Sequence, residues 1–115
     1  MYVLNRKLKG QVAQGDITIS AVNEAPAGVA VDPQGDRIVV AHSETGHHHT
    51  VNSRAARLTR GEDPWTCYLT VNEAYVDLVH HRDVNPHETI RLPTGCYRVR
   101  RQREWTPEGW RQVAD

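Results

Sequence analysis

The sequence predicts an all-β fold, either a small β-barrel or a β-sandwich. Short segments rich in β-branched and aromatic residues recur along the 115 residues, and glycine- or proline-containing turns separate them. No segment shows the apolar spacing of a helix of about three turns. The length fits one domain covering residues 1–115 and leaves little room for a second.

The first half of the chain contains three predicted strands. Residues Ile17–Val22 alternate between apolar and polar, as a half-buried strand does, and Val29–Val31 forms a short second strand. The segment Asp32–Asp36 predicts a turn, because its proline fixes φ and its glycine permits positive φ. The β-branched segment Arg37–His42 follows that turn and is the clearest strand of the sequence.

The second half contains four further predicted strands. A helical turn or a loop is expected at residues 54–61. The strands are Trp65–Val71, Ala74–His81, Glu88–Leu92 and Cys96–Trp105, and a turn at residues 93–95 separates the last two. Alternation in the first of them puts Trp65, Cys67, Leu69 and Val71 on one face.

The charge balance argues against polyanionic partners. The chain has 14 Lys and Arg against 14 Asp and Glu, so the formal net charge is zero and no overall attraction to nucleic acid or to an anionic membrane is expected. A net charge near zero favours self-association, which predicts a homo-oligomer. The N-terminus has no long apolar stretch and no segment reaches membrane-spanning length, so the expected location is the cytoplasm, or the virion if the protein is phage-encoded.

Histidines concentrate in two groups, His42 with His47–His49, and His80 with His81 and His87. In an extended strand His47 and His49 point to the same side, and two neutral imidazoles can bind one metal ion. The sequence therefore predicts a divalent transition metal (Zn, Fe, Ni or Cu), with His47 and His49 as central ligands. Further candidate ligands are Glu44, His42, His80, His81 and His87. The alternative is that the histidines are solvated and bind nothing.

The His47-His48-His49 element, followed by Pro93-Thr94-Gly95 and Tyr97, resembles the motifs of the cupin superfamily, and the resemblance covers roughly residues 35–100. It implies a small β-barrel that holds a metal between two sheets. Arg98 stands where the second cupin motif has a histidine, and Ser53 and Arg54 stand where the first has a glutamate.

A second resemblance spans most of the chain. The element Glu44-Thr45-Gly46-His47-His48-His49 and the segment Leu92–Trp105 are similar to small uncharacterised proteins of bacteria and their phages. That resemblance implies no activity.

Two other features could carry chemistry. The segment Tyr97–Trp105 contains four arginines, which can bind single-stranded nucleic acid, but the zero net charge favours a solvated strand instead. Cys67 and Cys96 stand in strand patterns, which favours small buried side chains over nucleophiles.

Two hypotheses of function follow. The first is a metal-binding β domain that acts on a small molecule through metal-activated water or dioxygen, with no catalytic residue assigned. The second is a structural or interaction module, of phage origin, that self-assembles through Trp105 and Trp110 and performs no chemistry.

Overall fold

The all-β prediction is confirmed. A computed structural model describes residues 1–8, 10–42, 48–81, 89–106 and 109–112, and in these ranges it has ten strands and a 3-10 turn at Arg6–Leu8. The strands are β1 (Tyr2–Val3), β2 (Gln11–Gln14), β3 (Ile17–Val22), β4 (Arg37–Ala41), β5 (His49–Asn52), β6 (Ala56–Arg60), β7 (Thr66–His80), β8 (Ile90–Arg101), β9 (Arg103–Thr106) and β10 (Gly109–Gln112).

One eight-stranded sheet contains all strands except the last two. Its main path runs β2-β3-β8-β7-β5-β4, β1 pairs with β8, and β6 pairs with β7. The path does not close on itself, so the sandwich alternative fits and the barrel alternative does not. Strands β9 and β10 form a separate antiparallel hairpin. In the part of the chain that is described, no helix is long and apolar enough to cross a membrane.

Strands β7 and β8 join the two layers of the fold. In its first half β7 pairs with β6 and β8, and in its second half it pairs with β5 and β8. The register shifts between Val71 and Tyr75, where the inward-facing positions of the strand change parity. The two layers meet at Cys67, whose thiol sulfur lies 3.8 Å from the carbonyl oxygen of Val40 on β4. Buried apolar side chains from both layers fill the space between them.

Five strands, β2, β3, β8, β7 and β6, present an open outer surface. Their inward positions are apolar and buried, as at Ile19, Leu58, Leu69 and Val99. Their outward positions form what we call the arginine face: Gln11, Ala13, Thr18, Ser20, Val22, Arg57, Thr59, Thr66, Tyr68, Thr70, Cys96, Arg98 and Arg100. The alternation of apolar and polar residues is that of an antiparallel sheet with one solvated side.

Several predicted boundaries differ from the structure. Residues 56–60, expected to be a helical turn or loop, form strand β6. The two strands predicted between Trp65 and His81 are one strand, and β8 runs through the turn predicted at residues 93–95. The strand predicted at Val29–Val31 is reduced to a single bridge between Ala30 and Thr59.

Candidate functional site

A buried polar network lies where β2, β3 and β5 meet. His49 is fully buried and Asp16 is 1% exposed. The Nε2 atom of His49 lies 2.8 Å from a carboxylate oxygen of Asp16, and its Nδ1 atom lies 2.8 Å from the amide oxygen of Gln14. The Gln14 amide nitrogen donates to the carbonyl oxygen of Leu78 at 2.8 Å. Both ring nitrogens of His49 therefore have hydrogen-bond partners, as a buried polar group requires.

The turn between β2 and β3 gives this network its shape. Gln14 ends β2, Asp16 precedes β3, and Gly15 between them has a φ of +53°. The rings of His49 and His80 are cross-strand neighbours and stack with centroids 4.0 Å apart and planes 11° apart. A β-carbon on Gly15 would lie 2.5 Å from Cε1 of His80. Only glycine therefore lets the turn approach the stacked rings this closely.

A second histidine pair, His42 and His48, lies between the end of β4 and the start of β5. The rings of His42, which follows β4, and His48, which precedes β5, meet edge to face with centroids 5.1 Å apart. Partial burial lowers the pKa of His42, and the charges of His48, Arg101 and Arg60 lower it further. A lowered pKa favours the neutral imidazole, which is the form that binds a metal.

His81 directly follows β7 and lies next to His48. Its Nε2 atom is 2.8 Å from the hydroxyl of Thr50, and its backbone N–H donates to the carbonyl of His48. Partial burial lowers the pKa of His81, and Arg37, His48 and His80 contribute in the same direction. The hydrogen bond to Thr50 fixes the ring but occupies one of its nitrogens.

His42 also borders a cavity of about 330 Å³ between the two layers. Strands β4 and β6 and the beginning of β7 form its walls. Its apolar lining includes Val40, Leu58 and Val99, and its polar lining includes His42, Arg60, Glu62, Asp63, Trp65, Cys67 and Arg101. A cavity that combines apolar side chains with several converging polar groups is typical of small-molecule sites.

Cys67 lines the cavity but is a weak nucleophile. Burial raises the pKa of its thiol to about 11, although the charges of Arg101 and Arg60 act in the opposite direction. The thiolate is the reactive form, so the thiol is inert at neutral pH. Both cysteines are free and partly buried.

The structure brings together only part of the predicted ligand set. His42 lines the cavity and packs against His48, His49 and His80 form the buried stack, and the backbone N–H of His81 donates to the carbonyl oxygen of His48. Glu44, His47 and His87 fall outside the described residues. As a metal ligand, His49 would have to release Gln14 or Asp16. Among the residues that the structure describes, no group of three or more His, Cys, Asp or Glu side chains is placed to hold one metal ion.

Sequence reasoning missed Gln14 and Asp16. Their pattern, two polar residues around a glycine, is that of an ordinary exposed turn. One signal was present, because the turn directly precedes the alternating strand Ile17–Val22 and follows a second short strand. A tight hairpin of this kind can face a core, but nothing local identifies its partner.

Comparison with known proteins gives one match. A family model described as a domain of unknown function (DUF8820) matches residues 13–102. The matched segment contains the buried network, the His42–His48 pair and the cavity lining. No curated protein and no solved structure matches the chain.

Proposed function

The chain belongs to the DUF8820 family, and we propose that it is a β domain that binds a divalent transition metal at the mouth of a small-molecule cavity. His42 and His48 supply the first two ligands. The proposal rests on the geometry of this pair and on the position of His42, whose side chain belongs to both the pair and the cavity lining.

The separation of the two rings supports a shared ion. A zinc ion binds imidazole nitrogen at about 2.1 Å, which puts each ring centroid about 3.2 Å from the metal. Two such rings at a tetrahedral angle have centroids about 5 Å apart. The observed separation is 5.1 Å, so the rings are close enough to share one ion, and from their edge-to-face packing at 75° they must turn until a nitrogen of each faces it.

A pair of ligands leaves coordination positions for water or for a bound molecule, which is the arrangement of catalytic and ligand-binding metal sites. The proposed ligand is a small molecule with an anionic group. Arg60 and Arg101 line the cavity, and guanidinium groups bind carboxylate or phosphate with good geometry. Trp65 adds an aromatic surface in the same cavity.

The buried network holds the start of the strand that follows the proposed ligand His48. Gln14, Asp16 and His49 fix the start of β5, and His48 directly precedes that strand. In metal proteins, hydrogen bonds behind the ligands orient them and set their affinity. The network therefore acts as a positioning device for the His48 backbone and not as a set of ligands.

Elemental analysis of metal-loaded protein tests the proposal. The chain is produced without an affinity tag, stripped with EDTA, loaded separately with zinc, nickel, copper or ferrous iron, and desalted. Stoichiometric binding of one of these metals is expected in the wild type, with loss of at least about tenfold in affinity for His42→Ala and for His48→Ala. Circular dichroism confirms that each variant is folded.

A matched control is His81→Ala, which removes a neighbouring imidazole already bonded to Thr50. This variant is expected to retain the metal. Absence of metal from the wild type, or unchanged binding by the His42→Ala/His48→Ala double variant, would contradict the proposal. Glu44→Gln, His47→Ala and His87→Ala complete the series and identify any further ligands.

A self-assembling interaction module is the second candidate. Large apolar side chains are exposed at the N-terminus, where Met1 is 58%, Tyr2 51% and Val3 53% exposed. Adjacent exposed apolar residues of this kind are typical of subunit contacts. Light scattering coupled to size exclusion tests this candidate, which requires an oligomer that dissociates in the Tyr2→Ser/Val3→Ser variant.

A further inference from the structure

We propose that the arginine face binds single-stranded nucleic acid. The net charge of the chain is zero, but the folded sheet collects arginines on one surface that has no acidic residue. Arg57 on β6 and Arg98 and Arg100 on β8 project from the same side of the sheet, with β7 between these two strands, and no aspartate or glutamate occupies any position of this face. A surface with one sign of charge attracts a polyanion whatever the net charge of the molecule.

The acidic residues that the structure describes are elsewhere. Asp16 is buried in the core, and Asp77 is paired with Arg91 through hydrogen bonds of 2.8 and 3.1 Å. Glu62 and Asp63 belong to the loop at the cavity. Within the described part of the chain, no ion pair involves the arginines of this face.

The centre of the face carries the groups that single strands use. Tyr68 and Ser20 flank Arg98 as its direct cross-strand neighbours on β7 and β3. The Nε–H group of Arg98 is buried among its neighbours and finds no hydrogen-bond acceptor in the described residues. An aromatic ring beside a guanidinium offers stacking to a base and a charged hydrogen bond to the adjoining phosphate.

Hydroxyl groups surround this centre and complete the match to a nucleic-acid backbone. Thr18, Thr59, Thr66 and Thr70 stand on the same face and can donate to phosphate oxygens. The face has few apolar side chains to insert into a bilayer, and this favours a nucleic acid over a membrane as the partner. The open face of an antiparallel sheet is also wide enough for splayed bases, as in other single-strand binders.

Fluorescence anisotropy with labelled oligo-dT and oligo-U of about 12 nucleotides tests the proposal. Binding is expected to weaken with salt, with a slope of log K against log salt of about −2, because three arginines each displace roughly 0.7 counterion from a single strand. The Arg57→Gln/Arg98→Gln/Arg100→Gln variant is expected to lose at least about tenfold in affinity and most of this slope. Tyr68→Ala is expected to lose about fivefold or more at every salt concentration.

The matched control is Lys7→Gln/Arg37→Gln/Arg54→Gln, which removes the same charge from positions outside the face. Affinity within about twofold of wild type is expected for it, since only nearby charges contribute strongly. Equal losses in the two triple variants would overturn the proposal, as would the absence of oligonucleotide binding. Salt-sensitive binding to phosphatidylserine vesicles without oligonucleotide binding would overturn it in favour of a lipid surface. The variants leave His42 and His48 intact, so failure here is separate from failure of the metal proposal.

Discussion

The Nδ1 atom of His49 and the amide oxygen of Gln14 lie 2.8 Å apart, and this contact determines where one proton must be. The amide nitrogen of Gln14 donates to the carbonyl of Leu78, so the amide oxygen is the atom that faces the ring. An oxygen acceptor requires a donor, and Nδ1 must therefore carry a hydrogen. On the other side of the ring, the Nε2 atom of His49 lies 2.8 Å from a carboxylate oxygen of Asp16.

We predict that His49 keeps a proton on Nδ1 at neutral pH. Long-range nitrogen–proton NMR of the imidazole ring distinguishes a protonated nitrogen from a bare one. A Gln14→Ala variant removes the acceptor of the Nδ1–H and the side-chain donor to the Leu78 carbonyl, so the free energy of unfolding should fall by about 1–3 kcal/mol in urea denaturation. A bare Nδ1 in the wild type would contradict the assignment.

The loss of unfolding free energy on replacing Asp16 should depend on whether the new side chain keeps a hydrogen bond to His49. Asp16→Ala leaves a buried imidazole nitrogen without its partner and is expected to lose about 3–5 kcal/mol of unfolding free energy. Asp16→Asn keeps a hydrogen bond to the neutral ring and should lose clearly less. Equal losses in urea denaturation would show that the side-chain volume, and not the hydrogen bond, stabilises this position.

Alanine substitutions at two glycines with positive φ should distinguish the cost of backbone strain from the cost of a steric clash. Gly15 has a φ of +53° and would place a β-carbon against His80, whereas Gly35 has a φ of +66° and open space around it. Gly35→Ala should cost about 1–2 kcal/mol from conformation alone. Gly15→Ala should cost at least about 2 kcal/mol more, because the stacked ring cannot move without breaking the network. Similar losses for both would contradict the close packing of Gly15.

The thiol of Cys67 should titrate far above neutrality. Burial raises its pKa from 9.0 to about 11, so the iodoacetamide reaction rate should keep rising to about pH 11 in a Cys96→Ser background. The unfolded chain ionises at the ordinary value, and it therefore loses protons first as the pH rises. Stability should consequently fall between pH 9 and 11. The same thiol in urea, with its rate levelling off near pH 9, is the control.

His81 should give the opposite pH dependence, a loss of stability as the pH falls. Its pKa is lowered chiefly by burial and next by Arg37, so the unfolded chain binds a proton that the folded chain resists. This group adds nothing to the pH dependence of stability above pH 6.5 and destabilises the fold as the pH falls below that value. NMR titration should give a pKa below 6.5 for His81 that rises in Arg37→Gln but not in Arg57→Gln. A value at or above 6.5 in the wild type would contradict the structure.

The strands that alternate cleanly were predictable from the sequence. Ile17–Val22 and Arg37–Ala41 lie where the pattern puts them, since each has one face in the core. Strand β6 was not predictable in the same way, because Arg57, Thr59 and Arg60 outnumber its two buried apolar residues, Ala56 and Leu58, and make the segment polar on average. Its burial depends on pairing with β7, which is a long-range property.

Pro93 shows why a proline does not always end a strand. A proline usually interrupts a strand because it lacks a donor. Here β1 pairs with β8 up to Arg91 and β3 pairs with it from Cys96, so Pro93 falls in the gap between the two partner strands. The missing N–H costs nothing there, and β8 continues. No local pattern contains the positions of β1 and β3.

The candidate site was predictable in its residue type but not in its arrangement. The sequence predicts both His42 and His49 as metal ligands, whereas in the structure His42 is exposed and His49 is buried. The difference arises because Gln14 and Asp16, distant in sequence, provide polar partners that make burial of an imidazole favourable. The metal hypothesis itself stays a prediction.

The length of β7 has a consequence for the dynamics of the molecule. A strand of 15 residues that hydrogen-bonds to β5, β6 and β8 leaves no half of the sandwich that can open while the other stays intact. Amide deuterium uptake at Leu69–Val71 and at Val76–Leu78, on either side of the register shift, should therefore occur at a single slow rate set by complete unfolding, and the terminal strand β2 should exchange sooner.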